Sequence, residues 1–167
     1  MIQEKLAVVG QGYVGLPIAM RAVEAGFDVV GLDVDETRVE NLQAGVSFVE
    51  DVPSEQLQEA IATGRYRATT DAADLAHFGY TIITVPTPLK DTVPDLSFIE
   101  ESAAEIAPYI EDGCTVVLES TTYPGTTREA LLPVLEQSGL RAGSDFNLAF
   151  SPERVDPGNP TFTTHNV

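Results

Sequence analysis

Apolar and polar positions fall in blocks along this chain rather than alternating residue by residue. Residues 6–9 (LAVV) form a short apolar run that stops at glycines 10, 12 and 15. Val14, Ile18, Ala22 and Ala25 then recur at helical spacing, and Gly26 suits the stop. Residues 27–33 (FDVVGLD) predict a second strand. Residues 37–44 and 54–63 predict helices, the latter with Ser54 at its N-cap. A short strand over Tyr66–Thr69 and a short helix over 71–77 precede YTIITV, residues 80–85, which reads as a buried strand. Helical spacing returns over 96–110 with Pro108 in its last turn. CTVVLE (114–119) is a further buried strand, 127–138 a helix closed by Gly139, and 146–150 a final strand.

Strands that are apolar throughout, separated by helices, imply a parallel sheet covered on both faces. With right-handed crossovers the prediction is α/β: a Rossmann-type doubly wound parallel sheet of about six strands, forming a single domain over residues 1–167. The one long irregular loop, 86–94, follows a strand end, where ligands bind in such sheets.

Composition adds one oddity. The 167 residues hold 26 acids against nine bases, a net charge of −17. Lys5 and Lys90 are the only lysines. Such a field opposes nucleic-acid binding. It reads either as a solubilising surface or as adaptation to high salt, where self-repulsion is screened. No apolar run approaches a membrane span and no basic region precedes the first apolar run. A lone cysteine fits a reducing compartment, so the expectation is a cytoplasmic protein.

The first turn carries the sharpest chemistry. Gly10-Gln11-Gly12-Tyr13-Val14-Gly15 lies between a strand and a helix. Gly10 permits the tight turn, Gly12 lets a diphosphate approach the backbone, and Gly15 lets the helix pack close to the sheet. Free amides at the helix start hold the anion despite the acidic surroundings. Asp33 ends the next strand 18 residues beyond Gly15, placed for the adenosine ribose hydroxyls. Its charge repels a 2′-phosphate, so NAD is expected rather than NADP, and Arg38 is free to cover the adenine.

Three more polar clusters follow strands: VPTPLK, STTYPGTT and SPERVDPGN. In a parallel sheet all three share the carboxyl edge with the glycine turn. Pro86 and Thr87 fall on the nicotinamide side, Thr121 and Thr122 offer hydroxyls, and Glu153 offers a carboxylate. Taken singly, the threonines also read as helix caps and Glu153 as a turn residue. Cys114 opens its strand, roughly 15 Å from that edge at ~3.3 Å per residue, and reads as an inert core thiol. His77 and His165 have no ligand company, and no metal site is predicted.

GQGYVGLP, Asp33 with Arg38, VPTPLK, ESTTYPGTT and SPERVDPGN together resemble the N-terminal NAD-binding domain of the UDP-glucose/GDP-mannose dehydrogenase family. The resemblance covers essentially the whole chain. It implies two Rossmann-like domains joined by a helical segment, in an enzyme that oxidises C6 of a nucleotide sugar twice, to the uronic acid, with two NAD. It implies a homo-oligomer, and a UDP-sugar bound mostly by the other domain. It implies that Gly10, Gly12, Tyr13, Val14, Gly15, Asp33, Arg38, Val85, Pro86, Thr87, Ser120 and Thr121 contact NAD. Thr121 resembles the threonine that orders the active-site water, and Glu153 the general base that assists hydrolysis of a cysteine thioester. Glu153 and Arg154 stand near the sugar.

The resemblance puts the nucleophilic cysteine, a lysine and an asparagine beyond Val167. The expectation is therefore a fragment or truncated product that binds NAD without completing the oxidation. PER-x-x-PGN, with Pro157 where glucose-type members carry an acid, resembles the UDP-N-acetylhexosamine branch. Two alternatives stay open: a dehydrogenase domain of the 6-phosphogluconate or hydroxy-acid type, and a non-catalytic NAD-binding or interaction module.

Overall fold

A computed structural model describes residues 5–153. Six strands form one sheet: β1 (Lys5–Val9), β2 (Asp28–Leu32), β3 (Tyr66–Thr69), β4 (Tyr80–Ile83), β7 (Thr115–Leu118) and β8 (Asn147–Phe150), with a separate hairpin of β5 (Leu89–Lys90) and β6 (Val93–Pro94). Their order is β3-β2-β1-β4-β7-β8, and every neighbour in the large sheet pairs parallel. This is the predicted doubly wound sheet, and its direction of growth reverses between β1 and β4.

The register decides what meets at the edge. Thr69, Leu32, Val9, Ile83, Leu118 and Phe150 form one row across all six strands. Every strand therefore ends at the same height, and the loops that follow open onto one rim.

Among the described residues, five helices cover the sheet: α1 (Gly15–Glu24), α2 (Glu36–Gln43), α3 (Ser54–Ala62), α4 (Ser97–Ile106) and α5 (Leu132–Leu135). Leu6 and Val8 join Leu16, Met20 and Leu57 in one core, while Ala7 and Val9 join Ile99, Ile106 and Leu131 in the other. Successive residues of β1 thus face opposite apolar cores, which is why the strand reads as an unbroken apolar run.

Local details depart from the predicted boundaries. Pro53, not Ser54, occupies the N-cap of α3, without a side-chain cap. Ser54 is the first helical residue, and its hydroxyl accepts from Ser47 N at 3.1 Å. Asp35 caps α2 by accepting from Arg38 N at 3.0 Å. The helix predicted over 71–77 is a single 3₁₀ turn, Ala72–Leu75, capped by Asp71 and followed by His77 at φ 65°. The loop 86–94 contains the β5–β6 hairpin, reversed at Asp91 and Thr92, both at positive φ. The helix predicted over 127–138 is a π turn (Thr127–Leu131), then α5, then a 3₁₀ turn (Glu136–Ser138). Pro133 explains the break, because it has no N–H to continue the ladder. Gly139, at φ 88°, closes it as predicted. No helix among the described residues is long and apolar enough to cross a membrane.

Candidate functional site

A cavity of about 510 Å³ opens at the carboxyl rim, within the ~300–1,000 Å³ usual for ligand sites. It lies at the sheet's switch point, bounded by the turn after β1 and the segments after β2, β4 and β7. Gly10, Gly12, Tyr13, Val14, Asp33, Arg38, Val85, Pro86, Thr87, Ser120, Thr121 and Glu153 all line it. Gly15 does not. It lies beneath the turn, where an added Cβ would fall 1.8 Å from Gly10 O and 2.5 Å from Thr84 Oγ1. Its lack of a side chain serves packing, not a wall of the cavity. Arg154 lies outside the described residues.

The two other glycines of the turn do opposite things. Gly10 holds φ +91°, with Thr84 O only 3.0 Å from where its Cβ would stand. Around Gly12 there is open space, nothing lying within 4 Å of an added Cβ. Backbone is thus presented to the cavity where a bulky anion needs it. Helix α1 then opens at Val14 with no side-chain cap and no acid in its first turn. Its positive dipole end and unclaimed amides face no competing carboxylate of their own helix.

Asp33 is almost fully buried at the tip of β2. Its Oδ2 accepts from Gln11 N (2.7 Å) and its Oδ1 from Asp35 N (3.0 Å). Arg38 Nη1 donates to both oxygens, at 3.0 and 2.8 Å. A carboxylate offers about four acceptor positions, and these are filled. The Arg38 guanidinium also lies 5.2 Å over the Phe48 ring, and Phe48 meets Tyr13 edge-on at 6.0 Å. Phe48 escaped the sequence reading, since nothing local links a loop residue at 48 to Tyr13.

Opposite, two hydrogen bonds lace the loops after β4 and β7. Ser120 Oγ donates to Val85 O at 2.7 Å and Thr87 Oγ1 donates to Thr121 O at 2.6 Å. Thr122 does not line the cavity, whereas Glu119 and the half-buried Glu153 do.

Helix α4 contributes a wall the sequence reading missed: Phe98, Glu101, Ser102 and Glu105. Their i, i+3, i+4, i+7 spacing was a readable signal, one residue out of phase with the core stripe of Ile99, Ala103 and Ile106. The Glu105 carboxyl is pushed above its ordinary value, by burial first and then by Glu101. Among the described residues, five carboxylates line the cavity against the single cation of Arg38. Backbone amides at the start of α1 are therefore the main anion-accepting groups among the described residues.

Cys114 is buried just before β7, at the amino end, where burial pushes its thiol up. The exposed His77 Nδ1 sits 2.6 Å from Glu111, also away from the cavity. Among the described residues no three potential ligands gather for a metal.

The open backbone at Gly12, the uncapped helix end and the terminal carboxylate of β2 fit a dinucleotide. Sheet order and site together define a dinucleotide-binding Rossmann domain. Residues 4–167 match the UDP-glucose/GDP-mannose dehydrogenase family, NAD binding domain, and the chain belongs to that family with NAD as its cofactor. It is 41% identical over 159 residues to the UDP-N-acetyl-D-glucosamine 6-dehydrogenase of Pseudomonas aeruginosa, covering 93% of this chain and 36% of that protein. The structure of UDP-D-ManNAc dehydrogenase from Pyrococcus horikoshii matches with TM-score 0.87 at 39% identity, over 92% of this chain and 37% of that one. A ternary complex of GDP-mannose dehydrogenase from Pseudomonas aeruginosa matches with TM-score 0.85 at 33% identity, over 91% and 36%. The chain thus spans somewhat over a third of the length of these relatives.

Proposed function

We propose that this domain furnishes the NAD site of a nucleotide-sugar 6-dehydrogenase whose substrate is a UDP-N-acetylhexosamine. The observation that carries this reading is a single cavity bounded by the glycine turn, Asp33 and the rims of β4 and β7. The PER-x-x-PGN ending and relatives named for N-acetylglucosamine and N-acetylmannosamine support the hexosamine.

When bound, NAD supplies the hydride acceptor for oxidation of the sugar C6. The amides of Gly12, Tyr13 and Val14 hold its diphosphate at the start of α1. The adenosine hydroxyls take the positions on Asp33 that Arg38 now fills, and Arg38 moves aside onto the adenine. Val85, Pro86 and Thr87, braced by Ser120 and Thr121, flank the nicotinamide. Thr121 orders water near the sugar, and Glu153 takes the proton of that water as general base, an effect worth about 10²–10⁴-fold in rate. Arg154 lies beside it in sequence and serves the sugar.

Calorimetry with NAD and NADP tests the cofactor geometry. Wild-type protein is expected to bind NAD at least tenfold tighter than NADP. Asp33→Asn should weaken NAD by roughly tenfold, the loss of about 1.4 kcal/mol from charged hydrogen bonds, and narrow the preference because Arg38 then meets the 2′-phosphate. Equal binding of both dinucleotides by wild-type protein would defeat this assignment of Asp33.

A further inference from the structure

Three residues near the turn have no role in the reading above: Gln11, Gly31 and Tyr66. Gln11 stands inside the glycine motif yet is fully buried, its side chain aimed into the protein. Its amide Nε2 donates to Val8 O at 2.9 Å and Gly10 O at 3.2 Å. Both amide protons are thereby used on carbonyls, so Oε1 must accept. The Tyr66 hydroxyl, from the far strand β3, donates to it at 2.8 Å. An amide flip would set Oε1 against two carbonyl oxygens, so the network permits one orientation.

Gly31 makes the room. It lies on β2, between β3 and β1, and an added Cβ would stand 2.4 Å from Gln11 Cδ and Oε1. An interior strand glycine commonly marks such a close approach. The Gln11 backbone amide, meanwhile, is the one that grips Asp33 Oδ2 at 2.7 Å. One residue therefore ties the turn's carbonyls, the ribose carboxylate and a phenol two strands away.

We infer that Tyr66 is a positioning residue for the dinucleotide, acting through the buried Gln11 side chain in the gap left by Gly31 to set the glycine turn and Asp33 in their binding geometry. The inference rests on the NAD-site reading given above. Burial, and next the nearby Asp33 charge, push the Tyr66 phenol above its ordinary value, so it stays protonated as a donor throughout the working pH range. Without that hydroxyl, Gln11 Oε1 becomes a buried acceptor with no partner, and the amide is released to turn.

The test is calorimetric binding of NAD to wild-type protein, Tyr66→Phe and Gly31→Ala. Phenylalanine keeps the ring that packs in the core, and alanine presses on Gln11 from the other side. Both variants are expected to bind NAD about five- to tenfold more weakly at a temperature where both are folded. Leu135→Ala, a truncation in the other core, which does not contain Tyr66, serves as control and should lower the melting temperature without changing NAD affinity. In an Asp33→Asn background the Tyr66→Phe loss should shrink below twofold, because the carboxylate it sets is gone. A Tyr66→Phe protein that melts earlier yet binds NAD like wild type would reduce Tyr66 to a structural role and overturn the inference. So would an undiminished loss in the Asp33→Asn background. Failure of the wild-type protein to bind NAD at all would instead bring down the NAD-site reading, and the positioning role with it.

Discussion

Thr81, in the middle of β4, carries a hydroxyl where a methyl would fit. The residue is wholly buried between its partners Ala7 and Val116. Its Oγ1 has no hydrogen-bond partner among the described residues. An unsatisfied buried hydroxyl costs roughly 1–3 kcal/mol. Thr81→Val keeps the shape and removes that cost, so the variant is expected to melt about 2–4 °C higher, as ~1 kcal/mol implies at this size. A lower melting temperature would show that the hydroxyl has a partner. At this scale the chain was legible where one residue type has one steric or electrostatic use. Gly10 and Gly12 stand where their φ and open surroundings require them, and Asp33 ends its strand at the cavity. The jobs of Gln11 and Tyr66 were hidden, because a glutamine in a turn and a tyrosine 55 residues away share no local pattern.

At the scale of elements, two helices show how sequence and contact divide the work. The spacing of Val14, Ile18 and Ala22 predicted α1, but the depth at which it packs follows from Gly15. Its Cβ would overlap Gly10 O at 1.8 Å. Gly15→Ala is therefore expected to cost about 3 kcal/mol, at the upper end of the overpacking range, and to weaken NAD by at least tenfold as the turn shifts. Denaturant unfolding and calorimetry would measure the two effects. Helix α4 carries Glu101 and Glu105 one turn apart, facing the cavity. The Glu105 carboxyl is raised above its ordinary 4.5 by burial and by Glu101. A raised carboxyl favours the fold when protonated. Its contribution is present below the unfolded value and is lost as pH climbs through the folded one. Glu105→Gln should thus raise the melting temperature slightly at pH 7 and leave it unchanged near pH 3.5. The shift is small because the group is largely solvated. An equal gain at both pH values would point to packing instead. Helix α5 was legible as a helix and not as a broken one, since Pro133 sets the break through a missing donor.

Across the whole molecule, the net charge of −17 sets the long-range field. Twenty-six acids spread over a small domain repel at long range, and salt shortens that range from ~10 Å at 0.1 M to ~3 Å at 1 M. The melting temperature is expected to rise by several degrees between 0.1 and 1 M KCl. A flat profile would leave the acidity as solubility alone. Yet the charged residues lining the cavity among the described ones are mostly carboxylates, so the proposed binding of a dinucleotide anion there sets the local dipole of α1 against the global field. By itself the sequence determined the strand and helix alternation, hence the doubly wound sheet, and it marked the glycine turn, Asp33 and the rim clusters. Those features are local, because hydrophobic period and glycine geometry act within a few residues. Tertiary structure alone decided that Arg38 fills Asp33, that α4 walls the cavity with acids, and that Tyr66 reaches Gln11 over Gly31. The last depends on strands brought side by side in register, and the first two on how side chains and a helix face lie against the cavity, which the residue types alone do not settle.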